Sequence, residues 1–333
     1  MKYALSAILV AFRFGWCNSI RRFGTFSWCE DTLLGDTMNG DNSSPLPRVQ
    51  NGEEPGFVSY AVRENVAWVM LERPEVANTQ NLRLLNQLDD LFRCAIDDTE
   101  VKVIVLGGRG KHFSAGHDLG TPERDKHMER ERKHLWPSHL GPVGAESQYV
   151  LEQDAYLGLC RRWQEMPKPM IAMVQGGCIA GGLMLAWVCD LIIASDDAFF
   201  QDPVLRMGIP GVEYFAHAFE LPPRVAKELL LLGDRMPADR AYQLGMVNRV
   251  VPRDQLEKEV ESIANEVADR PGFGMMLTKQ AINHVEDLRG KRTSMDSVFH
   301  MHHLAHAHNQ LTSDHIVGGL DAKAMAAANK PKK

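Results

Sequence analysis

Hydrophobic and polar positions alternate at the start of the ordered pattern, and the period then changes. Phe57–Val62 and Val66–Leu71 alternate on either side of Glu64-Asn65, which predicts a β-hairpin. From Leu82 to Ile96 the apolar residues recur at helical spacing. Val101–Leu106 is a continuous apolar run that ends in glycines, which is typical of a buried strand. Two strands, a helix and a further strand are therefore predicted in that order.

The same alternation continues through the middle of the chain. Tyr156–Gln164 and Gly181–Cys189 predict helices, whereas Met170–Val174 and Leu191–Ala194 predict buried strands. Strands and helices that alternate in this way predict a layered α/β domain. Gly120–Gln153 interrupts the pattern with charged residues, prolines and three histidines, which favours a mobile surface segment or lid; the histidines are His127, His134 and His139.

After Pro222-Pro223 the pattern is mainly helical. A short strand is predicted at Val247–Val251 and three helices between Gly272 and Ala327, after helices at Arg224–Leu232, Ala238–Leu244 and Leu256–Ala268. A helical module of this size is a candidate assembly surface.

One of the last predicted helices carries His302, His303, His306 and His308. His302 and His306 are four residues apart, a spacing that can bring two ligands to one metal ion. No pattern of acidic partners stands nearby, so a solvated or interfacial helix face is the favoured interpretation. We therefore expect no metal site.

Composition excludes several classes of protein. The 333 residues carry a formal net charge of −6, and no cluster of basic residues indicates nucleic-acid binding. Six cysteines without a C-x-x-C pair favour a reducing cytoplasm over disulfides or metal. The apolar run Tyr3–Phe12 is too short to span a bilayer. Residues 1–55 are predicted to be a flexible extension outside the fold, with Met38 a candidate natural start.

Two glycine-rich turns carry the candidate chemistry, residues 113–119 (FSAGHDL) and residues 176–184 (GGCIAGGLM). Each follows a buried-strand pattern, and glycine lets backbone amides approach a single oxygen closely. The turns predict the two halves of an oxyanion hole; tight helix packing is the alternative explanation for each glycine pair. Phosphate-binding motifs fail here, since Phe113 stands where a dinucleotide fingerprint needs glycine and His112 where a phosphate loop needs Ser or Thr.

Six motifs in the usual order resemble the crotonase, or enoyl-CoA hydratase/isomerase, family. The resemblance runs from Phe57 to Pro331, and its motifs lie at Leu71–Asn78, Phe113–Leu119, Pro167–Pro169, Gly181-Gly182 with Cys189-Asp190, Gly208–Gly211 and Gly245–Pro252. It implies a spiral of β-β-α repeats as an acyl-CoA-binding core at 56–252, and a helical region at 253–333 that packs into homotrimers or dimers of trimers. It implies no cofactor beyond the coenzyme A of the substrate, and neither nucleic-acid binding nor stable membrane insertion.

The resemblance also assigns site residues. The oxyanion donors would be the backbone amides of His117 and Gly181, since preorganised donors stabilise a thioester oxygen that gains charge. The substrate-binding positions would be Val76, Ala77 and Asn78 along the coenzyme A arm, Lys111 near a phosphate, and Ala115 and Met184. An exposed, solvated lysine is the alternative interpretation of Lys111.

The family's two catalytic glutamates are absent, because their positions hold Met184 and Val204. Neither side chain can exchange protons, so the paired-carboxylate hydration mechanism does not carry over. Glu213 and Asp202 are the candidate replacements. Each also has a structural explanation, Glu213 as an acid in the first turn of a helix and Asp202 as a turn cap before Pro203. The imidazole of His117 is expected to line the pocket wall.

The leading hypothesis is therefore an acyl-CoA enzyme that stabilises a thioester oxyanion or enolate, nominally an enoyl-CoA hydratase. An enoyl-CoA isomerase, or an acyl-CoA hydrolase or lyase that uses Glu213, is the first alternative. A non-catalytic acyl-CoA binder that has lost the acids is the second. A serine peptidase built on Ser114 is disfavoured, because no His and Asp stand at matching motif positions.

Overall fold

The computed structural model describes residues 56–125 and 144–313, together with Ala324 and Ala327. The extension predicted at 1–55 and the histidines at 127, 134 and 139 lie outside the described residues. The strands of the described part are β1 (Val58–Arg63), β2 (Val66–Leu71), β3 (Val103–Gly108), β4 (Met170–Val174), β5 (Gly177–Ile179), β6 (Leu191–Ser195), β7 (Phe199–Gln201), β8 (Met236–Pro237) and β9 (Arg249–Val251).

The helices confirm most of the periodic segments. They are α1 (Leu82–Asp97), α2 (Gly144–Glu152), α3 (Leu159–Gln164), α4 (Gly181–Trp187), α5 (His217–Glu220), α6 (Pro223–Leu232), α7 (Ala238–Gln243), α8 (Leu256–Ala268), α9 (Gly272–Leu288) and α10 (Lys291–Ser313). A π-helical stretch, Gln153–Gly158, joins α2 to α3. Ala324 and Ala327, the two residues described beyond α10, are also helical.

Two sheets organise the core, and the predicted hairpin and α/β class are confirmed. The larger sheet has the order β1-β2-β3-β4-β6-β9, in which β1 and β2 pair antiparallel and every other neighbour pair is parallel. The smaller sheet has the order β5-β7-β8. The pairs β4–β5 and β6–β7 each give their first strand to the larger sheet and their second to the smaller one. A helical segment follows each pair, as a spiral of β-β-α repeats requires.

The central strands are buried on both faces, which explains their continuous apolar runs. Along β3, Ile104 and Leu106 belong to the cluster that includes Leu88 of α1, whereas Val103 and Val105 belong to the cluster that includes Val260 of α8. Successive side chains of a strand point to opposite faces, so one strand supplies both apolar layers. The larger sheet thus lies between two apolar clusters.

The prediction for the segment that ends at Gln153 is wrong for its described helix. Helix α2 carries Val150, Leu151 and Glu152 into the interior, where all three are buried. The helix packs against α10, far along the chain. The sequence of α2 does not indicate this contact, because the residues that it packs against lie on another element.

Helix α5 ends at Glu220, a partly buried carboxyl that faces Lys291 at 3.6 Å while Lys291 pairs with Glu286 at 2.8 Å. Burial raises the pKa of Glu220 to about 7, although the Lys291 charge opposes the shift. A raised pKa means that the protonated form stabilises the fold, and this contribution is lost as pH rises from the ordinary value near 4.5 through 7.

We expect Glu220→Gln to become progressively more stable than the wild type between pH 5 and pH 8, by up to about 3 kcal/mol, since the neutral amide avoids a partly buried charge. Urea unfolding at several pH values measures this difference. Lys291 keeps Glu286, and the hydroxyl of the neighbouring Tyr214 keeps its bond to Gln164. The same change at exposed Glu266 is the control, and an equal pH trend in both variants would contradict the assignment.

Candidate active site

The two glycine-rich turns are joined by backbone hydrogen bonds through Ser114. Its amide donates to the carbonyl of Gly177 at 3.2 Å, and its carbonyl accepts from the amide of Ile179 at 2.9 Å. A Cβ on Gly182 would lie 2.4 Å from the Ser114 carbonyl oxygen, so only glycine allows this approach. The Ser114 hydroxyl is buried and donates to the Asn78 carbonyl, which confines this serine to a structural role.

A buried ion pair holds the first turn in place. Arg73 Nη2 lies 3.0 Å from Asp118 Oδ2, and both side chains are almost completely buried. Asp118 also accepts hydrogen bonds from the backbone and hydroxyl of Thr121. Burial alone would raise the pKa of Asp118, but these bonds and the Arg73 guanidinium hold it below its ordinary value. The residue beside Asp118, His117, is thus fixed by charge as well as by backbone pairing.

The amides of His117 and Gly181 are the two predicted oxyanion donors. Gly116 and Asp118 on either side of His117 exchange backbone bonds with Gln80, whereas the His117 amide donates to none of the described residues. Gly181 begins α4, where backbone amides have no intrahelical acceptor, and it too donates to none of them. A Cβ on Gly116 would stand 2.9 Å from the Gly181 nitrogen, so the turns touch at this point. The backbone at Ala180 has a positive φ of 49° that aims the Gly181 amide out of the strand direction.

The Glu213 carboxylate meets the imidazole of His117. Its two oxygens lie 3.2 and 3.0 Å from Nε2, and the carboxylate is buried while the ring keeps some exposure. Tyr156 stacks on a face of the ring, with centroids 4.1 Å apart. Nδ1 of His117 is buried without a hydrogen-bond partner among the described residues. The ring edge that holds Nδ1 lies beside Gly181, where a Cβ would be 3.0 Å from it.

Each group of this pair shifts the pKa of the other. Burial alone would lower the pKa of His117, but the carboxylate of Glu213 outweighs burial and raises it. Burial alone would raise the pKa of Glu213, but the charge and hydrogen bond of His117 hold it below its ordinary value. The pair therefore favours an ionised carboxylate against a protonated ring, with one exchangeable proton between them.

The structure brings Asp202 to a different partner. Its Oδ2 lies 2.8 Å from Nε2 of His217, with both side chains inaccessible to solvent. Asp202 also accepts from the amides of Val204 and Val212. These contacts brace the loop that leads to Glu213, which is a structural task.

Met184 and Val204 stand where the family has its catalytic glutamates. In the structure both side chains also lie in apolar surroundings. Met184 is buried within α4, in the main apolar core. Val204 begins a short 3₁₀ helix, Val204–Met207, and packs half-buried against Met207 and Ile209. Neither can move a proton, so Glu213 is the acid of the predicted set that stands beside an oxyanion donor.

The residues predicted along the coenzyme A arm form one loop, although not all face outward. Asn78 is buried, and its amide donates to the carbonyls of Arg109, His112 and Phe113. Val76 and Ala77 are half-buried, and the Ala77 carbonyl accepts from the amide of half-buried Ala115 at 2.9 Å. Asn78 therefore shapes the loop from within. Lys111 is exposed.

Sequence reasoning missed two further cations near Lys111. Arg253 donates to the carbonyls of Gly110 and Lys111, and Arg235 lies over the ring of Phe199 at 4.1 Å. Burial lowers the pKa of His112, and the positive charges of Lys111, Arg235 and Arg253 lower it further. Three cations from distant parts of the sequence thus share one face beside the first turn, and no local motif could have shown this.

Sequence reasoning also misplaced the histidines of α10. The sequence favours a solvated or interfacial helix face. A solvated face is wrong for His302 and His306, which are both buried within the chain. Glu152 of α2 faces them: its Oε2 lies 3.5 Å from Nε2 of His302, 3.2 Å from Nε2 of His303 and 3.6 Å from Nε2 of His306. His302 Nε2 is also 3.7 Å from Glu213 Oε1, so this group adjoins the candidate active site.

These contacts shift two of the groups strongly. Burial would raise the pKa of Glu152, but the imidazoles of His302, His303 and His306 that face it hold it well below its usual range. Burial would lower the pKa of His302, but Glu152 and Glu213 together raise it to about 9. The acidic partner that the sequence did not reveal is Glu152, which lies on a different helix.

The described residues contain neither a membrane-spanning helix nor a disulfide. None of the described helices is long and apolar enough to cross a membrane. Among the described residues no disulfide joins Cys94, Cys160, Cys178 or Cys189, and burial raises the pKa of Cys160 and Cys178 well above the ordinary value. Buried thiols of this kind are packing residues rather than nucleophiles.

Comparison with known proteins gives a consistent result. The family model described as enoyl-CoA hydratase/isomerase matches residues 61–317. A Mycobacterium tuberculosis protein designated EchA13, whose name places it among the enoyl-CoA hydratases, is 37% identical over 80% of this chain and 86% of that protein. The crotonyl-CoA hydratase of Syntrophomonas wolfei is 32% identical over 70% of this chain and 82% of that protein. The crystal structure of a probable enoyl-CoA hydratase from Mycobacterium smegmatis is 43% identical, with a TM-score of 0.71 over 78% of this chain and 99% of that one.

Proposed function

The chain belongs to the enoyl-CoA hydratase/isomerase family, and from that premise we propose that it is an enzyme that acts on acyl-CoA thioesters. The amides of His117 and Gly181 hold the thioester oxygen, and the Glu213–His117 pair moves the proton. Nominally the reaction is the hydration of a 2-enoyl-CoA. It uses no cofactor other than the coenzyme A that is part of the substrate.

The observation that carries this proposal is that His117 supplies both an oxyanion donor, through its amide, and a proton-transfer group, through its ring. Its amide donates to none of the described residues and adjoins the turn that holds Gly181. Its ring receives a buried carboxylate at 3.0 Å on one nitrogen and directs the other toward Gly181. A thioester oxygen bound at the two amides would therefore lie beside a proton-transfer group.

A single acid–base pair can complete hydration. The pair takes a proton from water as the water oxygen bonds to the β carbon, and the electrons of the double bond move to the thioester oxygen as an enolate. The two amides stabilise that charge. The pair then returns the proton to the α carbon, so that atoms and charge balance and the pair is restored.

The same pair would serve an isomerase equally well, because moving a double bond also requires one group that removes and returns a proton. Met184 and Val204 favour this alternative over two-acid hydration, and they also leave open thioester or carbon–carbon cleavage. The non-catalytic binder is supported by the same two side chains. The Glu213–His117 pair argues against the binder, because an ionised buried carboxylate is costly to keep without a role.

Turnover of a small panel of thioesters distinguishes these reactions. Hydration removes the conjugated absorbance of crotonyl-CoA, isomerisation creates that absorbance from a 3-enoyl-CoA, and hydrolysis releases a thiol that a colorimetric reagent detects. The proposal expects one of the first two signals. Tight binding of the whole panel without any turnover would instead establish the binder, and no binding would refute the acyl-CoA assignment.

The cations beside the first turn suit the phosphates of coenzyme A. We expect Lys111→Met to raise KM for an acyl-CoA about fivefold with kcat unchanged, because one exposed charge pair contributes about 1 kcal/mol. The difference should shrink as salt rises, since exposed charges are screened. Steady-state kinetics at two ionic strengths measures it. Lys227→Met, on the exposed face of α6, is the matched control, and equal KM values in both variants would remove Lys111 from the binding surface.

We extend the proposal to assembly and location. Helix α9 exposes several large apolar side chains that suit packing between copies in a homotrimer or dimer of trimers: Phe273, Leu277, Ile282, Val285 and Leu288. The cysteines of the described residues, which form no disulfide, fit a reducing cytoplasm.

A further inference from the structure

We propose that Glu152, His302 and His306 form a binding site for a divalent first-row transition-metal ion beside the candidate active site. The three side chains are buried, and their ligand atoms lie within 4.8 Å of one another. They come from two elements: Glu152 from the end of α2, and His302 and His306 from successive turns of α10. Imidazole nitrogen and carboxylate oxygen together suit zinc, iron or cobalt, and not calcium or magnesium.

The geometry of the donor atoms fits a single ion. The two Nε2 atoms are 2.9 Å apart, and Oε2 of Glu152 lies 3.5 and 3.6 Å from them. A triangle with these edges has a circumscribed radius of about 1.9 Å, so an ion slightly out of its plane reaches the ~2.0–2.1 Å bonds usual for zinc.

The orientation of His302 is that of a metal ligand. Its Nδ1 lies 2.8 Å from the carbonyl oxygen of Gly211, which can only accept a hydrogen bond. Nδ1 therefore carries a proton, and in the neutral ring Nε2 presents its lone pair to His306 and Glu152. Ligating histidines commonly donate their second nitrogen to a backbone carbonyl in this way, which fixes the tautomer and the ring plane.

Glu152 supplies the independent sign of a missing partner. Only 3% of the residue is exposed, and the side-chain amide of Gln148 donates to its Oε1. Oε2, the atom that faces the histidines, has no hydrogen-bond partner among the described residues, and neither has Nε2 of His303. A buried carboxylate oxygen without a partner costs free energy, and a cation at the centre of the triangle would remove that cost.

The site has a defined place relative to the catalytic loop. His302 holds the carbonyl of Gly211, two residues before Glu213, and its Nε2 lies 3.7 Å from Glu213 Oε1. An ion would tie α2 to α10 at this loop. The remaining coordination positions would take water or His303, whose Nε2 is 3.2 Å from the same oxygen of Glu152.

The test is metal binding by the full chain, expressed without a histidine tag and stripped with a chelator. We expect one equivalent of Zn²⁺ to bind, measured by competition with a chromophoric chelator and by elemental analysis after dialysis. Co²⁺ in the same site should give the intense visible bands of four- or five-coordinate cobalt. His306→Ala and Glu152→Gln should each weaken Zn²⁺ binding at least 100-fold. His308→Ala, an exposed histidine on the same helix, should bind as the wild type does.

Thermal unfolding guards against misfolded variants. Zn²⁺ should raise the Tm of the wild type and of His308→Ala, because a ligand that binds only the folded state stabilises it, and should leave the Tm of the two ligand variants unchanged. Substoichiometric zinc in the wild type, or equal affinity in His306→Ala and His308→Ala, would overturn the site and identify a proton-bridged cluster instead. None of these readouts uses turnover, so the result is independent of the proposed reaction.

Discussion

Glu213→Gln should lower kcat for the thioester that the enzyme turns over by about 10² to 10⁴, the usual contribution of a positioned acid–base group. Glutamine keeps the size and one hydrogen bond to His117, but it cannot accept a proton. The carboxylate now lies 3.0 Å from Nε2 and is buried, so no water would replace it efficiently. Because the two backbone donors are unchanged, the Kd for a non-reactive acyl-CoA should stay within a few-fold of the wild-type value.

The control for this experiment is Glu220→Gln. It makes the same chemical change at a partly buried glutamate whose charged neighbours, Lys291 and Glu286, lie outside the site. Its kcat should match the wild type at pH 7. If Glu213→Gln and the wild type turn over at equal rates, the pair is structural, and the proton must move through a group that the geometry has not indicated.

Asp202→Asn separates the two candidate acids. Asp202 is bound to His217 and to two backbone amides, with no exposed surface. Its substitution therefore weakens a buried pair and acts through stability rather than proton transfer. Asp202 and Glu213 are both acids between β7 and α5. Their roles differ because Asp202 contacts His217, whereas Glu213 contacts His117.

The regular parts of the fold could be predicted from sequence because their signals are local. The hairpin of β1 and β2 follows from alternation around Glu64-Asn65, and α1 from the helical spacing of its leucines. Strands β5, β7 and β8 span only three, three and two residues. Segments that short contain no measurable period, and their pairing depends on contacts between distant parts of the chain.

In the candidate site, too, the features that depend on neighbouring residues could be predicted from the sequence, and those that depend on distant residues could not. The backbone donors at His117 and Gly181 lie in contiguous turns whose glycines are visible in the sequence, and the position of Glu213 followed from the resemblance. The partner of each side chain did not. Glu213 meets a histidine almost a hundred residues earlier, and Glu152 meets histidines on α10. The sequence interpretation missed an acidic partner for His302 because it searched nearby positions, whereas the fold supplies one from another helix.

Burial also changes what a residue type means. A histidine-rich helix with polar residues is typically a solvated face, and His300 and His308 are indeed exposed. His302 and His306 lie on the opposite side, against α2, where desolvation and two carboxylates determine the charge of His302. Helical periodicity shows which residues of α10 share a face, but it does not show which other element packs against that face.

Replacing the Gly181 amide offers the most direct test of the oxyanion hole. Gly181 is the first residue of α4, so loss of its N–H breaks no intrahelical hydrogen bond. Gly181→Pro deletes this N–H, whereas Gly181→Ala adds a similar Cβ, 3.0 Å from the His117 ring, and keeps the N–H. We expect kcat of the proline variant to fall about 10²- to 10³-fold below that of the alanine variant, the usual effect of losing one oxyanion donor.

The comparison between these two variants, rather than with the wild type, isolates the hydrogen bond from the contact with His117. Circular dichroism verifies that both variants are folded. The binding of an unreactive acyl-CoA should differ much less than turnover, because the donor matters most when charge develops on the oxygen. Equal turnover in the two variants would mean that the Gly181 amide does not face the reacting oxygen, and the catalytic role of the second glycine turn would have to be abandoned even though its packing against Ser114 remains.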